Sequence, residues 1–221
     1  MIIDVNGVPL FYKCTGSGRP LILLHGNGED HSIFDSLATR LADDFTIYAV
    51  DSRNHGLSGK TGDYSYRTMS EDIYAFIVAL GLGKAGLLGF SDGAIISLML
   101  AMNHAEIVLR MALLGVNLCP EDFTEESYRY IRDTYEETKD PLFRLMLEEP
   151  QIELDSLCDL AVPTLLVAGE NDIYKPSLYT DLAKTLPDAR LKIMPGHDHS
   201  SYIIGSDILY PDLSDFFTEI Q

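Results

Sequence analysis

Gly89-Phe90-Ser91-Asp92-Gly93 holds a hydroxyl between two glycines, at the junction of two apolar runs. Ala85 to Phe90 has the length and composition of a strand covered on both faces, and Ala94 to Met102 reads as a buried helix. Only Ser91 and Asp92 remain to turn one into the other. Such a turn forces Ser91 into a sparsely allowed backbone region, at about 1–3 kcal/mol. Gly89 and Gly93 stand where a side chain would collide with the bend. The pattern is that of a nucleophile elbow, which lifts a hydroxyl out of the sheet toward a helix amino terminus. There the helix dipole and free N–H groups favour the negative charge that acyl transfer develops. The same five residues also fit a plain strand-to-helix turn without chemistry, so the other parts of a catalytic set must decide.

A hydroxyl nucleophile needs a base to take its proton, and the base needs a carboxylate to orient it. Two later stretches offer both: Gly169-Glu170-Asn171-Asp172 and Pro195-Gly196-His197-Asp198-His199-Ser200. Serine, then acid, then histidine is the order expected when the nucleophile lies on an elbow. Asp172 falls just past a strand, where a carboxylate can reach across; Glu170 and Asp155 are weaker candidates. From the residues alone the base is His197 or His199.

The elements that must position these groups alternate. Ile2–Val5 and Val8–Cys14 form a hairpin around Asn6-Gly7. Strands follow at Leu21–Leu24, Phe45–Val50, Ala85–Phe90, Leu109–Val116, Pro163–Gly169 and Arg190–Met194. Helices are expected at Ser32–Leu41, Tyr66–Leu80, Ala94–Met102, about Ser177–Leu186 and about Asp212–Ile220. This predicts an α/β fold, a mostly parallel twisted sheet of about eight strands flanked by helices. Ligands bind such sheets beyond the carboxyl ends of the strands, where the unusual residues fall. Residues 119–160 break the alternation, being far longer than a normal connection. Two short amphipathic stretches, Ser127–Tyr135 and Pro141–Leu147, predict a small helical cap over the site. The organisation expected is therefore a core of residues 1–118 and 161–221 with a cap of residues 119–160.

The 221 residues carry 16 basic and 34 acidic side chains, a formal charge of −18. Thirteen acids against four bases lie within residues 119–160, so about half of that charge sits on the cap. So acidic a surface argues against nucleic acid, anionic membrane or polyanionic partners and leaves a small-molecule substrate. Three cysteines, Cys14, Cys119 and Cys158, make no disulfide framework and none has metal-ligand spacing. No apolar run approaches a membrane span, and no basic-then-apolar leader opens the chain. A cytoplasmic enzyme without metal or cofactor is the expectation.

Four motifs in order now resemble the α/β-hydrolase family, from Phe11 to Phe217. They are His25-Gly26-Asn27-Gly28, Asp51-Ser52-Arg53-Asn54-His55-Gly56-Leu57-Ser58, the elbow, and the Asp172/His199 pair. The family usually has glycine where Asn54 stands. Its ending resembles Pro-Gly-x-x-His-Ser, which aligns the base with His199. The resemblance implies Ser91 as nucleophile, His199 as base, Asp172 as orienter, and the backbone N–H groups of Asn27 and Asp92 as oxyanion hole. It implies a serine hydrolase of carboxylic esters or related small acyl compounds, with activity falling on acidification as the base protonates. Aminopeptidases selective for amino-terminal proline, C–C bond hydrolases and lactonases use similar parts, and a binding module could keep the fold alone. A dehalogenase would need a carboxylate at position 91.

Position alone places Phe90, Asn117 and Tyr174 at the acyl pocket. Asp92 is expected to cap the helix, or, in the sharper reading, to meet a polar or cationic substrate group. His25 is expected to brace the oxyanion loop.

Overall fold

The computed structural model describes residues 1–219; Ile220, where the last helix was expected to end, and Gln221 lie outside them. Eight strands form one sheet: β1 (Ile2–Val5), β2 (Val8–Gly16), β3 (Arg19–Leu24), β4 (Phe45–Val50), β5 (Ala85–Phe90), β6 (Val108–Leu114), β7 (Thr164–Asn171) and β8 (Ala189–Asp198). Their spatial order is β1-β2-β4-β3-β5-β6-β7-β8. The pairs β1–β2 and β2–β4 are antiparallel and the rest parallel. Asn6 and Gly7, at φ 50° and 78°, make the left-handed turn that sets Val5 opposite Val8.

Among the described residues there are seven α-helices: α1 (Asp35–Leu41), α2 (Tyr66–Ala79), α3 (Asp92–Asn103), α4 (Glu125–Thr138), α5 (Pro141–Glu148), α6 (Pro176–Thr185) and α7 (Tyr210–Thr218). The central strands are apolar throughout because both faces are covered, and parity divides them. Ile22, Leu24 and Leu87 join α2, α3 and α6 on one face. Leu21, Leu23, Leu88 and Phe90 join α1 and α7 on the other. β5 lies at the centre of this order, so the turn at its carboxyl end emerges in the middle of the sheet's edge.

Several elements differ from the sequence expectation; β6 stops at Leu114, short of Val116, where Gly115 turns to φ 62°, and α4 is longer than the expected Ser127–Tyr135. The helix expected over 32–41 begins as a 3-10 turn at His31–Phe34, started by the Asp30 carboxylate accepting from the Ser32 N–H, and becomes α-helical at Asp35. β7 and β8 both run past their apolar cores, to Asn171 and Asp198. A register shift between Gly169 and Asn171 lets that extension continue. Its polar, exposed residues carry no apolar periodicity, so only pairing across the ladder extends the strands.

Residues 119–160 form α4 and α5 with short 3-10 turns on either side. They are fastened to the sheet's carboxyl edge at several points. Thr124 N–H donates to the Ile173 carbonyl (2.9 Å) and Lys175 N–H to that of Asp122 (2.8 Å). Glu149 accepts from Tyr66 N–H (2.9 Å), supplying the start of α2 with an acceptor that Ser65 does not provide.

Candidate active site

Ser91 has φ 53° and ψ −116°, a conformation that only tight surroundings sustain. Its own N–H donates to the Leu114 carbonyl at 2.8 Å, which ties the turn to β6. A Cβ on Gly89 would strike the Gly93 carbonyl, and one on Gly93 would strike that of Leu24. Both glycines are therefore required by close approach of backbone.

His199 Nε2 lies 3.1 Å from Ser91 Oγ, and its Nδ1 lies 2.8 Å from Asp172 Oδ1. The other Asp172 oxygen accepts from the Gly169 N–H at 3.1 Å, which fixes the carboxylate's plane. The extension of β8 along β7 sets Asp198 opposite Asn171 and so brings the histidine beside the acid. Gly115, at φ 62°, leaves the space for the imidazole: a Cβ there would lie 2.5 Å from His199 Cε1. The other candidates serve their own loops. Glu170 accepts from the Gly196 N–H (2.7 Å), and half-buried His197 meets Ser201 Oγ (3.1 Å). Asp155 belongs to a 3-10 turn before β7.

The loop after β3 faces the elbow. His25 donates from Nδ1 to the Gly26 carbonyl (2.8 Å) while its Nε2 accepts from the Ser52 N–H (3.0 Å). Burial first, and then neighbouring His55, push His25 down to about 4, so the ring is neutral at pH 7, as this pattern requires. Among the described residues no acceptor takes the backbone N–H of Asn27 or of Asp92. The latter opens the twelve-residue α3, at the positive end of its dipole.

Asp92 neither caps the helix nor lies free for a substrate. It is buried, its Oδ1 accepting from the Tyr66 hydroxyl (2.8 Å) and its Oδ2 from Asn27 Nδ2 (3.0 Å). Tertiary packing makes it the knot that joins the start of α3 to α2 and to the loop at Asn27. Burial raises its pKa despite these donors. Asn27 Nδ2 also reaches the Leu142 carbonyl of α5 (3.2 Å), so residues 119–160 touch this loop directly.

Of the residues expected at the pocket, Phe90 and Tyr174 both pack on the His199 ring, at centroid distances of 5.0 and 5.4 Å. Burial drives the Tyr174 phenol pKa well up, and the neighbouring Asp92 and Asp172 charges add to this. Asn117 is buried but spends its amide on the Cys119 carbonyl (3.0 Å).

Glu29 was not singled out from the sequence. Its Oε2 accepts from the Gly26 N–H at 2.9 Å, and burial pushes the carboxyl up to about 7. The spacing of Glu29 three residues after Gly26, immediately past the loop that follows β3, was the available signal. Tyr66 gave none, because an aromatic at a helix start reads as core.

Asn54 has φ 68°, a left-handed conformation that glycine adopts freely and asparagine tolerates. Its side chain compensates by donating to the Asp63 carbonyl (2.7 Å) and accepting from the Thr61 N–H (2.6 Å). Asp30, His31 and Asp51 lie close enough together to suggest a metal site. Asp51, however, accepts from the His31 N–H (2.8 Å), contacts His31 Nδ1 (2.7 Å) and accepts from the Leu57 N–H (2.8 Å), which makes it a loop brace.

Residues 19–140 match the family model described as alpha/beta hydrolase fold. The chain belongs to the α/β-hydrolase fold family. It is 34% identical over 125 residues to 2-(acetamidomethylene)succinate hydrolase of Mesorhizobium japonicum, a match covering 56% of this chain and 44% of that protein. The chain thus spans less than half of that relative's length. It is 29% identical over 241 residues to serine hydrolase BPHL of Homo sapiens, covering 93% of this chain and 81% of the relative. The enol-lactonase from Burkholderia xenovorans LB400 superposes with a TM-score of 0.83 at 22% identity, over 99% of this chain and 100% of that one, and shares its fold. Among the described residues, no helix of this family member is long and apolar enough to cross a membrane.

Proposed function

We propose that this chain is a serine hydrolase of carboxylic esters or closely related small acyl compounds, working through an acyl-enzyme beneath a cap of residues 119–160. The observation that carries the reading is the Ser91 hydroxyl, held on a strained turn 3.1 Å from His199 Nε2, with Asp172 behind the imidazole at 2.8 Å. His199 takes the Ser91 proton as Oγ attacks the carbonyl carbon and returns it to the leaving alcohol. Water then attacks the acyl-enzyme with the same base, releasing the acid and restoring the hydroxyl. Asp172 holds the ring with Nε2 toward the serine and stabilises the transient imidazolium. The N–H groups of Asn27 and Asp92 receive the oxyanion, each worth roughly 10²–10³ in rate. The human relative matched over 93% of this chain is a serine hydrolase by name, which supports this assignment.

An amine-bearing substrate draws less support. An ammonium group would need free carboxylates, and of the acids in residues 119–160, Asp122, Asp140 and Glu149 use theirs on backbone N–H groups.

The test is turnover of p-nitrophenyl esters of graded chain length, beside a lactone and a proline amide, by wild type and Ser91→Ala. A serine-directed phosphonate reports the nucleophile independently. The expected result is ester turnover that falls about 10⁴-fold or more in the variant, with labelling lost and the fold kept. A variant retaining a few per cent of activity would remove Ser91 from the mechanism. An unlabelled, inactive wild type would favour a binding module, and turnover confined to the proline amide would favour an aminopeptidase.

A further inference from the structure

The loop at Gly26–Gly28 is held from several sides, and one of its restraints comes from a group that the reaction scheme does not use. Gly26 N–H donates to Glu29 Oε2 at 2.9 Å, while Glu29 N–H donates back to the Gly26 carbonyl at 3.3 Å. Glu29 thereby closes a reciprocal turn on the residue before Asn27. A Cβ on Gly26 would lie 2.8 Å from Glu29 Oε2, 3.1 Å from Ser91 Cβ and 3.3 Å from Phe90 Cδ1. Only the width of a glycine separates this carboxyl from the elbow.

We propose that Glu29 is a positioning residue for the oxyanion site: its carboxyl holds the His25–Gly26 peptide through the Gly26 N–H while its own N–H holds the Gly26 carbonyl, so the turn at Gly26 is fixed from both sides and the following N–H, that of Asn27, is aimed at the reacting carbonyl oxygen. The inference rests on the hydrolase reading above. A donor that aims at the oxyanion must be set before the reaction, since reorganisation during it would cost rate.

The proposal also bears on charge. The groups that act on Glu29 are the Gly26 N–H and His199, which favour its ionised form, and Asp92 and Asp30, which oppose it together with burial; the balance leaves the carboxyl near 7. The neutral acid accepts the Gly26 N–H through the same oxygen without setting a negative charge beside a developing oxyanion. Above about 7 the carboxylate is present and opposes that oxyanion, so kcat/KM declines as pH rises through this range.

The experiment compares wild type, Glu29→Ala and Glu29→Gln on one p-nitrophenyl ester between about pH 5 and 9, read at the isosbestic wavelength of nitrophenol, with thermal unfolding as the fold control. Glu29→Ala is expected to lose about tenfold or more in kcat with KM within about twofold, because the donor contributes in the transition state. Glu29→Gln keeps an acceptor at the same place and is expected to recover most of that loss. Its activity should stay level where the wild type declines. A wild-type kcat in Glu29→Ala, an equal loss in Glu29→Gln, or an unchanged alkaline decline in Glu29→Gln would each overturn the proposal. If Glu29→Ala does not fold, the pH profile of Glu29→Gln decides alone. Phosphonate labelling of Ser91 separates the two readings: wild type that is labelled and active while the Glu29 variants match it rejects only the role of Glu29. Wild type neither labelled nor active rejects the hydrolase itself.

Discussion

At Gly115 a missing side chain matters as much as the side chains that react. Its φ of 62° and the 2.5 Å between a built Cβ and His199 Cε1 mean that alanine there strains the backbone and displaces the imidazole. The neighbour that must give way is the proposed base, whose distance to Ser91 sets the proton transfer. A displacement near 1 Å costs about 10²-fold in rate. Gly115→Ala is therefore expected to lower kcat by about that factor, with an accompanying stability loss of about 1 kcal/mol from the positive φ. Steady-state kinetics and urea unfolding on the same preparation check it, and a kcat within twofold of wild type would place the working imidazole elsewhere. Ser91 and Asn54 also stand at positive φ, 53° and 68°, and Asn54 achieves with two hydrogen bonds what glycine would do by its freedom.

Among the elements, the loop after β4 is joined to α2 by a buried ion pair. Arg53 Nε and Nη2 donate to Asp72 at 2.6 and 2.8 Å, and Asn6 Nδ2 from the first hairpin turn adds a third donor at 3.0 Å. Asp72 raises the Arg53 pKa, chiefly through these hydrogen bonds, so the guanidinium stays charged although it is 5% exposed. Asp72→Asn leaves that charge buried with only Asp63 nearby, at 3.2 Å. The expected loss is about 3 kcal/mol or more, whereas replacing both partners by apolar residues of similar size costs less. A lower urea midpoint at unchanged slope would register the effect as stability. The acids within residues 119–160 follow a similar rule at Glu149 and Asp122, which serve backbone N–H groups that a connection between elements leaves open.

For the whole molecule the formal charge of −18 is the dominant property, and thirteen acids crowd into residues 119–160. Self-repulsion of this kind opposes the compact state and is screened within about 10 Å at 0.1 M salt. The melting temperature is therefore expected to rise by a few degrees, roughly 2–6 °C, when sodium chloride goes from about 10 to about 150 mM. Differential scanning calorimetry at pH 8 tests it; a flat or falling response would mean that paired charges such as Arg190–Glu219 and Lys192–Asp212 dominate instead.

The sheet, its parallel order and the elbow were legible because apolar runs and glycines act locally: a run buried on both faces, or a turn that rejects a side chain, writes itself into adjacent residues. The order of the triad candidates was legible too, since serine, acid and histidine each end a strand. Distances between them were not, and neither was the role of Asp92, whose partners Tyr66 and Asn27 lie 26 and 65 residues away. Asp172 was favoured over Glu170 from its place past the strand, but the pairing that brings His199 to it, the extension of β8 past its apolar core beside a register shift, has no periodic signature. What the chain determined unaided was which elements form and in what order. Which polar groups meet was decided only when the sheet's carboxyl edge assembled, because hydrogen bonds and buried charges depend on partners distant in sequence, whereas apolar burial depends mainly on a residue's own side chain.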